Sequence, residues 1–279
     1  MRAAVKEAVR SIVPELAGRV YDVQPLDGAA DDQYAVFTLG EEIWKSSWAG
    51  YRQVVRLKLY ADSSGLSQLD AWAERLVSGL NRKRVSGTEN EAFVLHYLGV
   101  PETDKLDAAS GKIVRVMRFG VYMPEATGAV APGETDEWLS TLTALTGEML
   151  GTPWKIYHTA WPAGREEHAV LWRMTGCESK SAGASMYEIR KSFTGHIVSP
   201  NLESEQLAIV SLVEKLGSKV RLMLEPVDQR YVSVVDVSSD LQADPILDGQ
   251  IKLTLMQRQM RPAEEAALIR RVNIDPILK

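Results

Sequence analysis

The hydrophobic positions of this 279-residue chain change period along its length, and each change marks an element. Ala4, Val5, Ala8, Val9 and Ile12 return at spacings of three and four, one face of a helix that Pro14 and Gly18 bring to an end. Arg19–Val23 and Tyr34–Leu39 read as strands on either side of a Gly/Asp-rich loop. A polar loop containing two tryptophans is predicted from Gly40 to Gly50. In Tyr51–Tyr60 the period falls to two: Val55, Leu57 and Leu59 alternate with Arg56 and Lys58, as a strand with one buried face requires. Ser67–Leu80 returns to the helical period through Leu69, Trp72, Ala73, Leu76, Val77 and Leu80. Ala92–Gly99 and Lys112–Met123 complete the series as strands. In the last, Ile113, Met117 and Phe119 share a face, Arg118 points outward, and Arg115 is a second candidate for that side.

Pro124–Thr135 is rich in Pro, Gly and Ala and has no period, so it reads as a linker. After it the order restarts, giving units at 1–124 and 136–279, the second with a C-terminal extension, around a linker at 125–135. Trp138–Leu150 is a helix, Lys155–Thr159 and His168–Met174 are strands, and Gly176–Ser185 is a small-residue polar loop. Tyr187–Ile197 is a long strand. Glu203–Leu216 is a helix with Leu207, Val210, Leu212 and Val213 inward, and strands follow at Lys219–Leu224, Tyr231–Val237 and Gln250–Gln259.

Anchor residues recur at a nearly fixed offset, the signature of an internal repeat. Val20-Tyr21 matches Ile156-Tyr157, Gly40 matches Gly176, and Tyr51 matches Tyr187, all at offset 136. Leu76-Val77 and Leu80 match Leu212-Val213 and Leu216 at the same offset; Gly111, Ile113 and Pro124 match Gly249, Ile251 and Pro262 at offset 138. The expected fold is therefore α+β: two tandem repeats of a mostly antiparallel sheet flanked by helices.

Composition narrows the function. Hydrophobic residues are 45 % and charged residues 25 % of the chain, ordinary globular values. A net charge of -5 with no basic block argues against a phosphate-backbone binder. One cysteine, Cys177, excludes a disulfide framework and thiolate zinc clusters. The amphipathic start lacks the apolar stretch of a signal peptide and no run approaches a membrane span, so a soluble protein made in a reducing cytoplasm is expected.

Catalytic patterns are missing. There is no dinucleotide fingerprint, nucleophile elbow or paired-histidine zinc motif. Ser110-Gly111-Lys112 lacks the first glycine of a phosphate loop, and Ile113 stands where a magnesium-binding hydroxyl is needed. His96, His158, His168 and His196 are too far apart for a local metal site; one assembled from His158, His168, Cys177 and His196, or a Cys177 nucleophile, would need the fold to gather them. The carboxylate pairs Asp31-Asp32, Glu41-Glu42 and Glu166-Glu167 fall in predicted polar loops, where nothing shifts a pKa towards acid–base work. No catalytic residue, metal ligand or cofactor site is assigned. Trp72 and Trp138 lie on apolar helix faces and are expected in the core. Trp44 and Trp48, beside Glu41, Glu42 and Lys45, form either a protein-contact element or a lid folded over the sheet. The matching segment GCESKSAGAS has no aromatic residue.

The helix AAVKEAVRSI, the strands RVYDVQP and YAVFTLG, the long strand YRQVVRLKLYAD leading directly into the helix LSQLDAWAERLVSGL, and the closing strand KIVRVMRFGVYMPE form one ordered series. That series resembles the tail terminator (tail-completion, head–tail joining) proteins of long-tailed bacteriophages. It covers about 120 residues directly, and the second half only through the repeat. Family members look like a single such unit, whereas this chain carries two. The resemblance implies a virion protein assembled in the host cytoplasm. It would form a ring that caps the tail tube, stops its polymerisation and docks the head, with no enzyme activity and no cofactor. Its implied partners are itself, as six chains or as three chains with pseudo-six-fold symmetry, the tail-tube protein and a head-completion or neck protein. Membrane and sequence-specific nucleic-acid binding are not implied, though DNA would pass through the lumen. The alternatives are a duplicated tail-tube or neck adaptor subunit, a ligand sensor of two ferredoxin-like repeats, and an enzyme of unrecognised type.

Overall fold

The structure, a computed structural model, describes residues 1–25, 33–86, 92–123, 135–162, 164–225 and 229–262. All of the linker 125–135 but its last residue, the pair Asp31-Asp32 and the C-terminal extension beyond 262 lie outside the described residues. The first unit runs α1 (Arg2–Ile12), β1 (Val20–Tyr21), β2 (Tyr34–Ser46), β3 (Gly50–Ala61), α2 (Leu66–Leu80), β4 (Arg84–Ser86), β5 (Ala92–Gly99), β6 (Lys105–Asp107) and β7 (Lys112–Met123). The second runs α3 (Glu137–Leu150), β8 (Lys155–His158), β9 (Ala169–Ser181), β10 (Met186–Val198), α4 (Leu202–Gly217), β11 (Arg221–Glu225), β12 (Arg230–Ser239) and β13 (Ile251–Met260).

The two sheets have the same strand order. The first reads β1-β2-β3-β7-β5-β4 and the second β8-β9-β10-β13-β12-β11, with β6 an added strand on β7. In each, the first strand pairs parallel with the second, Val20 against Ala35 and Ile156 against Val170, and every other pairing is antiparallel. Tyr51 pairs with Met123, and Tyr187, 136 residues after Tyr51, pairs with Gln259, 136 after Met123, so the pairing register keeps one offset through strands where the sequence anchors suggest a drift to 138. This is the α+β double-repeat architecture the periodicities predict.

Each sheet carries its helices on one face. Leu69, Trp72, Leu76 and Leu80 of α2 are buried on the first sheet; their counterparts on α4, Glu205, Ala208, Leu212 and Leu216, are buried on the second. Where the first unit puts Trp72 on its helix, the second has Ala208 and supplies the bulk from the sheet through Trp172, which is fully buried. Gly195, paired with Trp172, makes room: a Cβ there would meet the indole at 2.9 Å. The bulky indole thus comes from the helix in one unit and from the sheet in the other, and both are close-packed. The Trp172 indole N–H donates to the buried Thr146 hydroxyl at 2.9 Å. Asp136 and Asn201 start α3 and α4, accepting from Trp138 N (3.1 Å) and Glu203 N (2.9 Å).

Four expectations fail locally. Gly40–Gly50 and Gly176–Ser185 are arms of long hairpins, not loops; β2 runs to Ser46 and β9 to Ser181, because the pairing continues through polar residues that have no core to signal it. The strand at Arg19–Val23 is only Val20–Tyr21. On α4, Leu207 and Val210 are exposed, at 64 % and 41 %, while Glu205, Ala208 and Ile209 turn inward. Arg115 faces the helix layer with Ile113 and Met117, ion-paired to Asp104 and, at 2.7 Å, to Asp70 of α2.

Candidate functional site

The buried polar chemistry of this chain gathers where the two units meet. The β2–β3 hairpin makes that contact: Gly50, at φ +69°, closes a tight turn that brings Trp48 and Ala49 onto the second sheet's outer face, the one without helices. The Trp48 ring lies 3.6 Å from the Arg173 guanidinium carbon, a cation–π stack, and its indole N–H donates to Ile246 O at 3.1 Å. Trp161 N–H returns a bond to Trp48 O at 2.8 Å. Ala49, Trp161, Ala169, Leu171, Val198 and Ile246 close a buried apolar cluster around it. Of the other contact candidates, Glu41, Glu42 and Trp44 are exposed and Lys45 is half-buried. Trp44 stands edge-on to Tyr51 at 5.1 Å, and Glu42 accepts from Gln53 at 3.0 Å. Trp48 thus faces the chain's own second unit, while Glu41, Glu42 and Trp44 face solvent.

Charged groups cross the same junction. Arg82, just after α2, reaches 2.8 Å to Glu205 of α4, and Glu205 also accepts from Ser199 N at 3.1 Å. Glu167 accepts from Arg84 N at 2.9 Å. Arg165, 4 % exposed, donates to His96 Nε2 at 3.2 Å, and Arg173 donates to His196 Nε2 at 2.8 Å. A histidine nitrogen that accepts from an arginine must be unprotonated. His196 Nδ1, placed against Pro245 O at 3.0 Å, then carries the ring's proton and donates it. Burial, then the nearby Arg165 and Arg82, push His96 down to about 3. Burial and then Arg173 do the same to His196, also to about 3. Burial likewise lowers Arg165 to about 10 and raises Glu205 above the usual carboxylate range.

The outer face of the first sheet differs. Its apolar floor is Tyr34, Val36, Tyr60, Val114 and Val116. Above it opens a groove of about 410 Å³ lined by the cations Arg56, Lys58, Lys105 and Arg118 and the carboxylates Glu102 and Asp107. Arg56 and Arg118 sit directly opposite each other on β3 and β7.

The fold does not assemble the other chemistry-bearing residues. Cys177 is exposed and pairs with Lys191, five positions along β10 from the buried His196. His168 contacts Ser199 Oγ at 3.1 Å, and His158 contacts Thr159 Oγ1 at 3.3 Å. Among the described residues no three histidine, cysteine or acidic side chains cluster as a metal site. Ser110-Gly111-Lys112 is the β6–β7 turn, closed by Asp107 and followed by a buried Lys112 paired with Asp62. Sequence reasoning misses Arg82, Arg165, Arg173 and Glu205 as a group, because their partners lie 23 to 123 residues away and no local spacing announces them.

No family model matches the chain, and no curated protein matches it. A solved structure described as "Virion of native gene transfer agent (GTA) particle" is similar at TM-score 0.33 and 20 % identity, over 44 % of this chain and 94 % of that one. No helix among the described residues is long and apolar enough to cross a membrane.

Proposed function

We propose that this chain is a structural subunit of a phage-like virion, forming a ring at the head–tail junction that caps the tail tube, ends its polymerisation and docks the head. One observation carries the reading. Two units of identical strand order share a chain, yet one hairpin tip is spent on the neighbouring unit while the other projects, exposed from Met174 to Ser185. A heterologous contact of this kind, continued from chain to chain, produces a ring if its rotation closes. The element order along 2–123 is also that of the tail terminator resemblance. Glu41, Glu42, Trp44 and Lys45 supply an outward contact edge for the tube or neck, and the buried histidines and arginines hold the two units together. The function is mechanical, without catalysis or cofactor, in a virion assembled in the host cytoplasm, and DNA passes through the lumen.

Native mass spectrometry and particle imaging of the full chain test this. The expected result is a ring with a central pore and a mass of three or six times 30.9 kDa. A monomer, or a compact dimer without a pore, at micromolar concentration overturns it.

A further inference from the structure

We infer that the outward stripe of α4 is the seat for the C-terminal segment 263–279 of a second copy of this chain, an inference that rests on the ring reading above. Glu203, Leu207, Val210 and Glu214 follow one another at spacings of four, three and four, so they line one side of the helix. All four are exposed, Leu207 at 64 % and Val210 at 41 %. The fold does not require this stripe, because the positions 136 earlier on α2 hold Ser67, Ala71, Glu74 and Ser78. Among the described residues neither Glu203 nor Glu214 makes an ion pair. Lys215, beside Glu214, donates instead to Met149 O at 2.6 Å. An aliphatic pair between two unspent carboxylates favours an apolar occupant that also carries cations.

The segment 263–279 has that composition. Leu268 and Ile269 are followed by Arg270, Arg271 and Val272, an aliphatic pair beside two cations. Reach decides whose helix they meet. β13 ends beside the β9–β10 turn, where Arg261 N donates to Ser185 O at 2.9 Å. α4 starts at the opposite end of β10, where Glu205 accepts from Ser199 N at 3.1 Å. The helix then runs back over the sheet until Gly217 meets Val237, whose partner Leu253 pairs with Phe193. Counted along β10 at about 3.3 Å per residue, Leu207 and Val210 lie roughly 35–40 Å from Arg261. Leu268 comes seven residues after Arg261 and, fully extended, reaches only about 24 Å. The aliphatic pair therefore falls short of its own α4, and an adjoining copy supplies the seat. Each copy gives one segment and receives one, a head-to-tail contact that repeats around a ring.

The test uses the full chain with its only cysteine removed, C177S. L207C and L268C are placed on separate chains of different length, one carrying a tag, and co-expressed. A mild added oxidant, accepting two electrons and two protons per disulfide, joins thiols in contact. The expected product is a mixed covalent dimer on a non-reducing gel, at least tenfold more abundant than when V23C replaces L207C. Equal yields with V23C mean that the segment collides without a seat, and overturn the inference. A disulfide confined to single chains in L207C/L268C puts the segment on its own helix and also overturns it. So does the absence of any mixed dimer when the wild type is a ring; each of these results leaves the ring reading intact. A wild type that stays monomeric overturns both. In parallel, E203R/E214R and R270E/R271E should each weaken self-association at least tenfold, and combining them should restore it. A combined variant no stronger than either alone counts against the pairing.

Discussion

The outer faces of the two sheets started from one plan and now carry opposite chemistry. On the second, a tryptophan tip and the segment before β13 exclude water, and the side chains beneath are a neutral histidine and an arginine stacked on a ring. On the first, Tyr34, Val36, Tyr60, Val114 and Val116 form a buried apolar floor, and Arg56, Lys58 and Arg118 stand beside Glu102 and Asp107 in a groove. Desolvating a charge costs several kcal/mol unless it is paired, so a covered face must neutralise or match its ionisable groups and an open one need not. Coverage, more than strand pattern, decides which residues each face tolerates.

Removing the cover should give the largest effect. Trp48→Ala deletes a ring that contacts Arg173, His196 and Ile246 and leaves a void between the units. The expected loss is about 3 kcal/mol, the low end for Trp→Ala because the ring is only partly buried. Chemical denaturation should show a lower midpoint. Hydrogen exchange should accelerate at the Ile246 amide, which donates to Asp244, and in β9, as the cover over both opens. Unchanged exchange there would mean that the tip is not what covers this face.

The two histidines buried at the junction, His96 on β5 and His196 on β10, should also make stability depend on pH. Unfolded, His96 and His196 bind a proton near pH 6.5. Folded, they refuse it until about pH 3. The unfolded chain therefore holds more protons across that window, and stability falls as pH drops from 6.5 towards 3, while the histidines contribute no slope above it. Between pH 6.5 and 5.5 the pair should cost about 2 kcal/mol. Glu205 acts in the opposite sense: its raised pKa means the folded carboxyl takes up a proton first, which relieves its burial and offsets part of the loss at lower pH. His96→Gln, which keeps an acceptor for Arg165, should remove about half of the slope in denaturation midpoints at pH 7.5, 6.5 and 5.5. An unchanged slope would show that the junction histidines titrate normally.

These two effects also mark what the sequence could and could not tell. The helices and long strands were legible because their apolar stripes face one core each, and the repeat because anchors such as Leu76 and Leu80 of α2 recur at offset 136 as Leu212 and Leu216 of α4, buried in both. The hairpin arms at Gly40–Gly50 and Gly176–Ser185 looked like loops because a strand beyond the core keeps its ladder without an apolar signal. On α4, the inward Glu205 and outward Leu207 reverse the hydrophobic rule. The cause is tertiary: Arg82, 123 residues away, lies where Glu205 points. Trp48 was noticed for its aromatic character, but its partner Arg173 carries no local cue, since a lone arginine on a strand is ordinarily a surface residue.

The smallest effect sharpens the comparison most, because Trp44 and Trp48 share one hairpin and differ only in what covers them. Trp44 is 45 % exposed and touches Tyr51 at its edge. An edge-on aromatic pair at an exposed site contributes about 1 kcal/mol, and the indole shields little else. Trp44→Ala should therefore shift the denaturation midpoint by less than about 1 kcal/mol and leave exchange at Ile246 unchanged, in contrast with Trp48→Ala. If this edge is where the ring meets the tube or neck, the same variant should assemble normal rings that no longer stay on tail tubes in a sedimentation assay. Normal retention would move that contact elsewhere on the ring. A stability loss as large as that of Trp48→Ala would mean that the exposed half of the hairpin holds the fold as firmly as the covered half does.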